Sequence, residues 1–449
     1  MQALFANRFA PLIAIATGAL IPLSLAPFDV PALDLLSVAL LFVLVWNNPA
    51  RAGRLGWWFG VGKYGLGASW IYVSIHTYGP APPWLAGSLV AVFVAALALF
   101  PAALTATYAW LRRRFAATSG LLGGALTFAA CWVALEWILT WILTGFPWLY
   151  LGYAHLADPL RHLAPVGGVL LVSLAAAISG AALVAVVFDE GRRRVIAAGV
   201  AVLPWVIGAG LSVIDWAEPT GTQRVALVQG NIPQDQKWLR DNLVPTLDRY
   251  TKLTAGHWDT RLVIWPEAAI PLFEHQAQTF LEQTAARARA HDATLILGIP
   301  AVEVHPHDEV DFLNTAIAIG GGSGRYVKRR LVPFGEYVPL EDLLRGAISF
   351  FDLPMSHAVP GAWEQPLLVA GDLSFALAIC YEVVYPDLVR VGAADADALV
   401  TLSNDAWFGH SIGPHQICRW RACVRSKTAA GCCGPPTMVS PRSWTPRAV

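Results

Sequence analysis

Apolar residues fill the first half of the chain in long runs, and near residue 220 the pattern changes to short runs separated by polar stretches. Seven runs stand out, at roughly 8–26, 33–47, 55–76, 84–111, 120–143, 164–188 and 195–214. Most approach the length needed to span a bilayer as a helix, about 20 residues. The 33–47 run is short and fits thinner lipid or a span with little tilt. From Arg224 onward the runs are short and β-rich: Val225–Gln229, Leu262–Trp265, Thr294–Gly298, Thr315–Ile319, Phe375–Ile379 and Ala398–Leu402. A helical stretch, His275–His291, lies among them. Strands alternating with helices predict a layered α/β or α+β domain, and apolar runs of four or five predict strands buried on both faces.

Charge divides the chain at the same place. Only 14% of the 449 residues are charged and 56% are hydrophobic, against about 25% charged in an average soluble protein. Residues 1–220 carry 11 basic and 8 acidic side chains, residues 221–416 carry 14 and 23, and the last 33 residues carry six, all basic. The zero net charge therefore averages an acidic second half with a basic tail, and no basic stripe suggests a nucleic-acid partner. Clusters at Arg51 and Arg54, Arg112–Arg114 and Arg192–Arg194 fall at every second junction between the apolar runs. The positive-inside rule then predicts a cytoplasmic N-terminus, seven crossings, and everything beyond Trp216 outside the cytoplasm. With no small-residue cleavage site after it, the first run reads as a retained helix.

A few polar groups interrupt the apolar runs: Lys63, His76 and Glu136. Each costs about 2.5–3.5 kcal/mol at the centre of a membrane helix, so each needs a partner or a wet cavity. Glu136 reads equally as a member of an interhelical hydrogen-bond network or as a substrate contact. The segment Thr144–Tyr153 reads as an interfacial aromatic anchor. In the second half, polar groups collect at strand ends, where a sheet fixes them and leaves them accessible. Glu267 follows a buried strand, Lys328 follows the strand-like 324–327 stretch, Glu336 comes eight residues later, and Cys380 ends another strand. A thiol becomes a nucleophile as its thiolate, a carboxylate can take its proton, and an ammonium can stabilise an oxyanion. Spacing alone leaves open whether these groups converge, and a buried inert thiol is the alternative reading of Cys380.

Four motifs then follow in order: Trp265-Pro266-Glu267, Lys328 with Leu331–Tyr337, Cys380-Tyr381-Glu382, and Ser403–Gly409. Together they resemble the nitrilase-like domain of the bacterial apolipoprotein N-acyltransferases. Gly67–His76, Pro147–Tyr153 and Val228–Gln234 followed by Trp238 are similar to further signatures of that family. The resemblance covers roughly residues 10–416. It implies a polytopic α-helical membrane domain (1–216, about seven transmembrane helices) and an α-β-β-α sandwich of nitrilase type (221–416). It also implies Glu267 as general base, Lys328 as oxyanion stabiliser and Cys380 as nucleophile, with Trp238, Glu336, Tyr381 and Glu382 supporting activity or binding substrate. The implied reaction moves an acyl chain from a phospholipid to Cys380. It then passes to the amino group of a diacylglyceryl-cysteine on an apolipoprotein, at the outer side of the bacterial inner membrane. No cofactor or metal is implied. A membrane-tethered amidase or nitrilase, releasing ammonia from amides, and a non-functional membrane protein are the alternatives.

The tail 417–449 departs from the family. It holds Cys418, Cys423, Cys432 and Cys433, no acidic residue and no His, and its spacing fits no common zinc pattern. Read onward from the last base of the Gln416 codon, one permitted translation, with its free bases chosen after the family, looks like the family's continuation and restores helix and strand periods. The tail therefore reads as a frameshift, which implies a truncated C-terminus, an incomplete second domain and a chain that folds poorly or is inactive.

Overall fold

A computed structural model describes residues 9–79, 81–116, 120–216, 222–305, 310–337, 357–417 and 432–433. It divides into two compact units: a helical one formed mainly by residues up to Trp216, with His410–Lys427, and a mixed α/β one formed mainly by Ala217–Gly409. The tail lies outside the described residues except for Ile417 and the two-residue strand Cys432–Cys433.

In the helical unit each apolar run becomes helix. The helices are α1 (Ala10–Ser24), α2 (Ala32–Asn47), α3 (Ala52–Gly67), α4 (Pro83–Leu97), α5 (Leu99–Arg114), α6 (Leu121–Ile138), α7 (Ala164–Phe188) and α8 (Gly191–Leu211). Among the described residues, four spans are long and apolar enough to cross a membrane: Pro83–Arg114, Leu121–Ile138, Pro159–Phe188 and Gly191–Leu211. A fifth arises if Ala32–Asn47 and Pro49–Gly67, bent by 105° at their junction, are counted as one; α1, at 15 residues, is shorter. The bend falls where Asn48 and Pro49 interrupt the ladder, since proline lacks the N–H that would continue it.

Glycines let α1 and α3 approach closely. A Cβ on Gly18 would lie 2.0 Å from the Phe59 carbonyl, and one on Gly62 would lie 2.0 Å from the Ile15 carbonyl. Small residues at such crossings are how apolar helices gain packing when lipid offers no hydrophobic drive. Glu136 belongs to a network: its Oε1 accepts from Trp132 Nε1 at 2.9 Å and from the Leu151 N–H at 3.2 Å. Lys63 lies over the rings of Tyr64 and Trp132, at 5.3 and 5.7 Å. The aromatic segment 144–153 does not form an exposed belt. Trp148, Tyr150 and Tyr153 are buried, with Trp148 stacked on Phe146 at 5.5 Å. The chain folds back there through left-handed residues at Leu143, Thr144, Gly145 and Leu149, and the Phe146 N–H returns to the Leu139 carbonyl.

The second unit holds two five-stranded sheets. The first has the order β1 (Val225–Leu227), β2 (Leu262–Ile264), β3 (Thr294–Val304), β4 (Val310–Gly320) and β6 (Arg325–Val327). Its first three strands run parallel; β3 and β4 form a long antiparallel hairpin from Thr294 opposite Gly320 to Val304 opposite Val310. The second sheet has the order β10 (Cys432–Cys433), β9 (Ala398–Leu402), β8 (Leu373–Ile379), β7 (Leu368–Ala370) and β5 (Gly322–Ser323), with β8 and β9 parallel.

Alternation along the strands sorts the apolar side chains into two cores. Leu262, Ile264 and Ile296 meet Phe375, Leu377, Ile379, Val400 and Leu402 between the sheets. Val263, Trp265, Leu295, Leu297 and Ile299 point the other way, toward α9 (Leu243–Ala255) and α10 (Gln278–Ala290), where Tyr250 and Leu281 close the core. On the far side α11 (Pro386–Ala393) buries Leu388 and Val389. The layers are α-β-β-α.

Candidate active site

The site is built at the ends of strands in the second unit. Trp265 continues β2, stacks on Tyr250 at 4.9 Å and donates from Nε1 to Thr254 Oγ1 at 3.0 Å. This leaves Pro266 and Glu267 to turn sharply, with Ala268 in the left-handed region (φ 45°). The turn lies against β3: Ala269 N–H donates to the Gly298 carbonyl and Gly298 N–H to the Pro266 carbonyl, at 2.9 and 3.2 Å. A Cβ on Gly298 would sit 2.6 Å from Glu267 Cα, so the close approach requires glycine.

Lys328 extends β6 by one residue and stands opposite Asn314 of β4, to whose carbonyl its N–H donates at 2.8 Å. Both side chains enter the same cluster. Lys328 Nζ lies 2.9 Å from Glu336 Oε1 and 3.6 Å from Glu267 Oε1. Asn314 Nδ2 donates to those same two oxygens at 2.9 and 2.8 Å. The second oxygen of each carboxylate is held by backbone: Asn404 N–H donates to Glu267 Oε2 and Val332 N–H to Glu336 Oε2, both at 2.8 Å. Glu267 and Lys328 are 7% and 1% exposed, so their charges act where water screens little. Burial alone would depress the Lys328 ammonium, but Glu336, Glu267 and Cys380 beside it hold its pKa well above the ordinary lysine value.

Cys380 follows Ile379 at the end of β8 and takes a left-handed conformation (φ 56°), a strained geometry for a side chain of this kind. Burial pushes its thiol pKa far up, and the Glu267 and Asp405 charges add to that, while Lys328 and a hydrogen bond with Ser403 act against it. Glu382 ties this turn to the Lys328 loop. Its Oε2 accepts from the Ile379 N–H at 2.7 Å and Tyr326 OH at 2.8 Å, and its Oε1 accepts from the Arg329 and Arg330 N–H groups at 2.7 and 3.0 Å. Burial raises the Glu382 carboxyl pKa, and those backbone donors oppose the shift.

The structure thus gathers Glu267, Lys328 and Glu336 into one hydrogen-bonded cluster, with Cys380 inside their electrostatic reach and Glu382 bracing the two loops. Tyr381 is buried edge-on against Tyr385 at 5.3 Å, and Trp238 is 40% exposed beside Lys237. The sequence reading did not single out Asn314 or Tyr326, and Asn404 entered it only within the Ser403–Gly409 motif. Asn314 carried one signal, an amide inside an otherwise apolar strand. The cluster offers a thiol, a carboxylate able to take its proton and a fixed cation, the set needed for covalent acyl transfer. Among the described residues no group of His, Cys, Asp and Glu is arranged to hold a metal.

Residues 17–182 match the family model for the apolipoprotein N-acyltransferase N-terminal domain, and residues 224–433 match that for carbon-nitrogen hydrolase. The second match runs past Gln416, where the motif resemblance stops. Apolipoprotein N-acyltransferases of Pseudomonas aeruginosa and Azotobacter vinelandii are 45% and 46% identical over 410 and 411 residues. Each match covers 90% of this chain, with 80% and 79% of the respective relative. An amidase from Nesterenkonia sp. is similar in structure over 50% of this chain and 81% of its own, with 18% identity and a TM-score of 0.27. Both domain types match in order, and the relatives agree along nearly the whole length: the chain belongs to the apolipoprotein N-acyltransferase family.

Proposed function

We propose that this chain transfers an acyl group from a phospholipid to the α-amino group of a diacylglyceryl-cysteine on an apolipoprotein, through a thioester on Cys380. The observation that carries the reading is the bridge of Lys328 between Glu267 and Glu336, with the Cys380 thiol under the same charges. In the first half-reaction Glu267 takes the thiol proton as sulfur attacks the ester carbonyl, and Lys328 faces the oxyanion of the tetrahedral adduct. Collapse breaks the carbon–oxygen ester bond. The proton on Glu267 goes to the departing oxygen, leaving a lysophospholipid and an acyl-cysteine. In the second, the neutral amine attacks the thioester, Glu267 takes the nitrogen's proton, and the thiolate leaves and is reprotonated. Asn314 and Glu336 keep Glu267 and Lys328 in register, and Glu382, Tyr381 and Trp238 shape the surrounding site.

Both substrates are lipid-anchored, which gives a reason for joining this domain to apolar helices. The alternating arginine clusters support a bacterial inner membrane with residues 221–416 outside the cytoplasm, the seven crossings being the four long spans together with the shorter α1, α2 and α3. The decisive experiment incubates the purified full chain with phosphatidylethanolamine vesicles and examines Cys380 by mass spectrometry. A palmitoyl thioester that disappears in Cys380→Ala supports the reading and overturns the expectation of an inactive chain; a folded chain that forms none bears that expectation out. Ammonia release from amides without any acyl-cysteine would favour an amidase instead.

A further inference from the structure

Strands β8 and β9 run parallel with Ile379 opposite Leu402 at their ends. The chain therefore leaves both strands side by side, and Cys380 and Ser403 are the first residues past that pair. Ser403 is fully buried, as is Asp405 two residues on. The Ser403 hydroxyl donates to Asp405 Oδ1 and also shares a hydrogen bond with the Cys380 sulfur. Between the two, the Asn404 N–H donates to Glu267 Oε2 at 2.8 Å, and Asn404 Nδ2 is pinned on Gln234 Oε1 at 3.0 Å. One short segment after β9 thus touches both the carboxylate and the thiol.

The charged groups facing the sulfur are Glu267 after β2, Lys328 after β6 and Asp405 after β9. Two of them are anions and disfavour a thiolate. The cation, Lys328, is the group that the proposed mechanism gives to the carbonyl oxygen. Ser403 is the neutral donor beside the sulfur. A hydroxyl carries one proton and two lone pairs, and it rotates to suit its neighbours. While the sulfur is protonated, the hydroxyl proton goes to Asp405. Once Glu267 has the thiol proton, rotation about the Cβ–Oγ bond turns the hydroxyl toward the sulfur, and no covalent bond changes at the serine.

We propose that Ser403 is a further catalytic residue of the acyl transfer: its hydroxyl, aligned by Asp405, donates to the Cys380 sulfur whenever that atom carries negative charge. That happens before the sulfur attacks the ester and again when it leaves the thioester. The inference rests on the reading of Cys380 as the nucleophile.

The test uses the full chain and two readouts. Iodoacetamide alkylation of Cys380 at about pH 9 reports the thiolate without any lipid substrate. Palmitoyl-thioester formation from phosphatidylethanolamine vesicles reports the first half-reaction. A hydrogen bond to a charged group is worth a factor of about 10 to 100, so Ser403→Ala is expected to slow both by about 10-fold or more. Ser403→Thr, which keeps the hydroxyl, is expected to recover most of each loss. Unchanged rates in Ser403→Ala, with Cys380→Ala still abolishing the thioester, overturn the inference and leave the nucleophile standing. Equal losses in the alanine and threonine variants make the serine structural and overturn it too. If alkylation slows as expected but the parent chain forms no thioester, the nucleophile reading falls and the inference with it. Should Ser403→Ala not fold, Ser403→Cys, of similar volume and with a weaker donor, replaces it; if that also fails to fold, the serine is structural and the inference is overturned.

Discussion

At the scale of single residues, the site depends on how few donors serve its two carboxylates. Asn314 bonds an oxygen of each, so Asn314→Leu leaves both short of a donor while keeping the volume. Buried acceptors deprived of a partner cost about 1–3 kcal/mol, so acylation kcat/KM is expected to fall about 10- to 100-fold with the folded fraction nearly unchanged. The thiol makes a second expectation. Burial, Glu267 and Asp405 raise its pKa more than Lys328 and Ser403 lower it, so the resting thiol is protonated at neutral pH. Alkylation of Cys380 by iodoacetamide should keep accelerating above pH 9, and Lys328→Met should push the rise to still higher pH. A rate that levels off below neutrality would contradict this. Glu267, Lys328 and Glu336 stood out because acids and a lysine are conspicuous near the ends of apolar strands, whereas Glu382 came from the family resemblance. Asn314 did not: a polar residue in a strand reads as a solvent face.

At the scale of elements, the positions of strands were easier to read than their lengths. Ala398–Leu402 matches the observed β9 residue for residue, whereas Thr294–Gly298 and Thr315–Ile319 are the inner halves of a hairpin whose outer strands run to Val304 and back from Val310. The outer halves mix acids with apolar residues and lie partly exposed, so they lack the uniform hydrophobicity that marked the core. In the helical unit the 84–111 run is two helices broken at Ala98, and the aromatic segment 144–153 packs inward. Composition does not distinguish a buried aromatic from an interfacial one; the left-handed residues that turn the segment inward are invisible to it. Gly298 gives the prediction at this scale. Gly298→Ala sets a methyl 2.6 Å from Glu267 Cα, and the turn must move. Overpacking of this kind costs about 1–3 kcal/mol, and displacing a reacting group by about 1 Å costs about 100-fold in rate. A lower melting temperature together with lost thioester formation is expected.

At the scale of the molecule, the chain joins apolar helices to an acidic α/β unit, and its orientation can be tested directly. Cysteines placed near Arg113 and Arg193 should be protected from a membrane-impermeant maleimide in intact cells, and one near Asp158 should be labelled. The opposite pattern would invert the proposed topology. The change from apolar helices to an α/β pattern was readable because charge density and hydrophobic period change together near residue 220. The α-β-β-α layering came from the family resemblance, since strand order is not written in any local pattern. The hydrogen bonds that hold Glu267 also set when the enzyme can exist. Asn404 reaches back to Glu267 across 137 residues, and to Gln234 across 170. Contacts this distant in sequence carry a large loop-closure cost and form late in folding. On the proposed mechanism a nascent chain would therefore hold no organised base until β9 has been synthesised and docked. The thiol, made earlier, would find no positioned base until then, so its acylation would follow the order in which these contacts close.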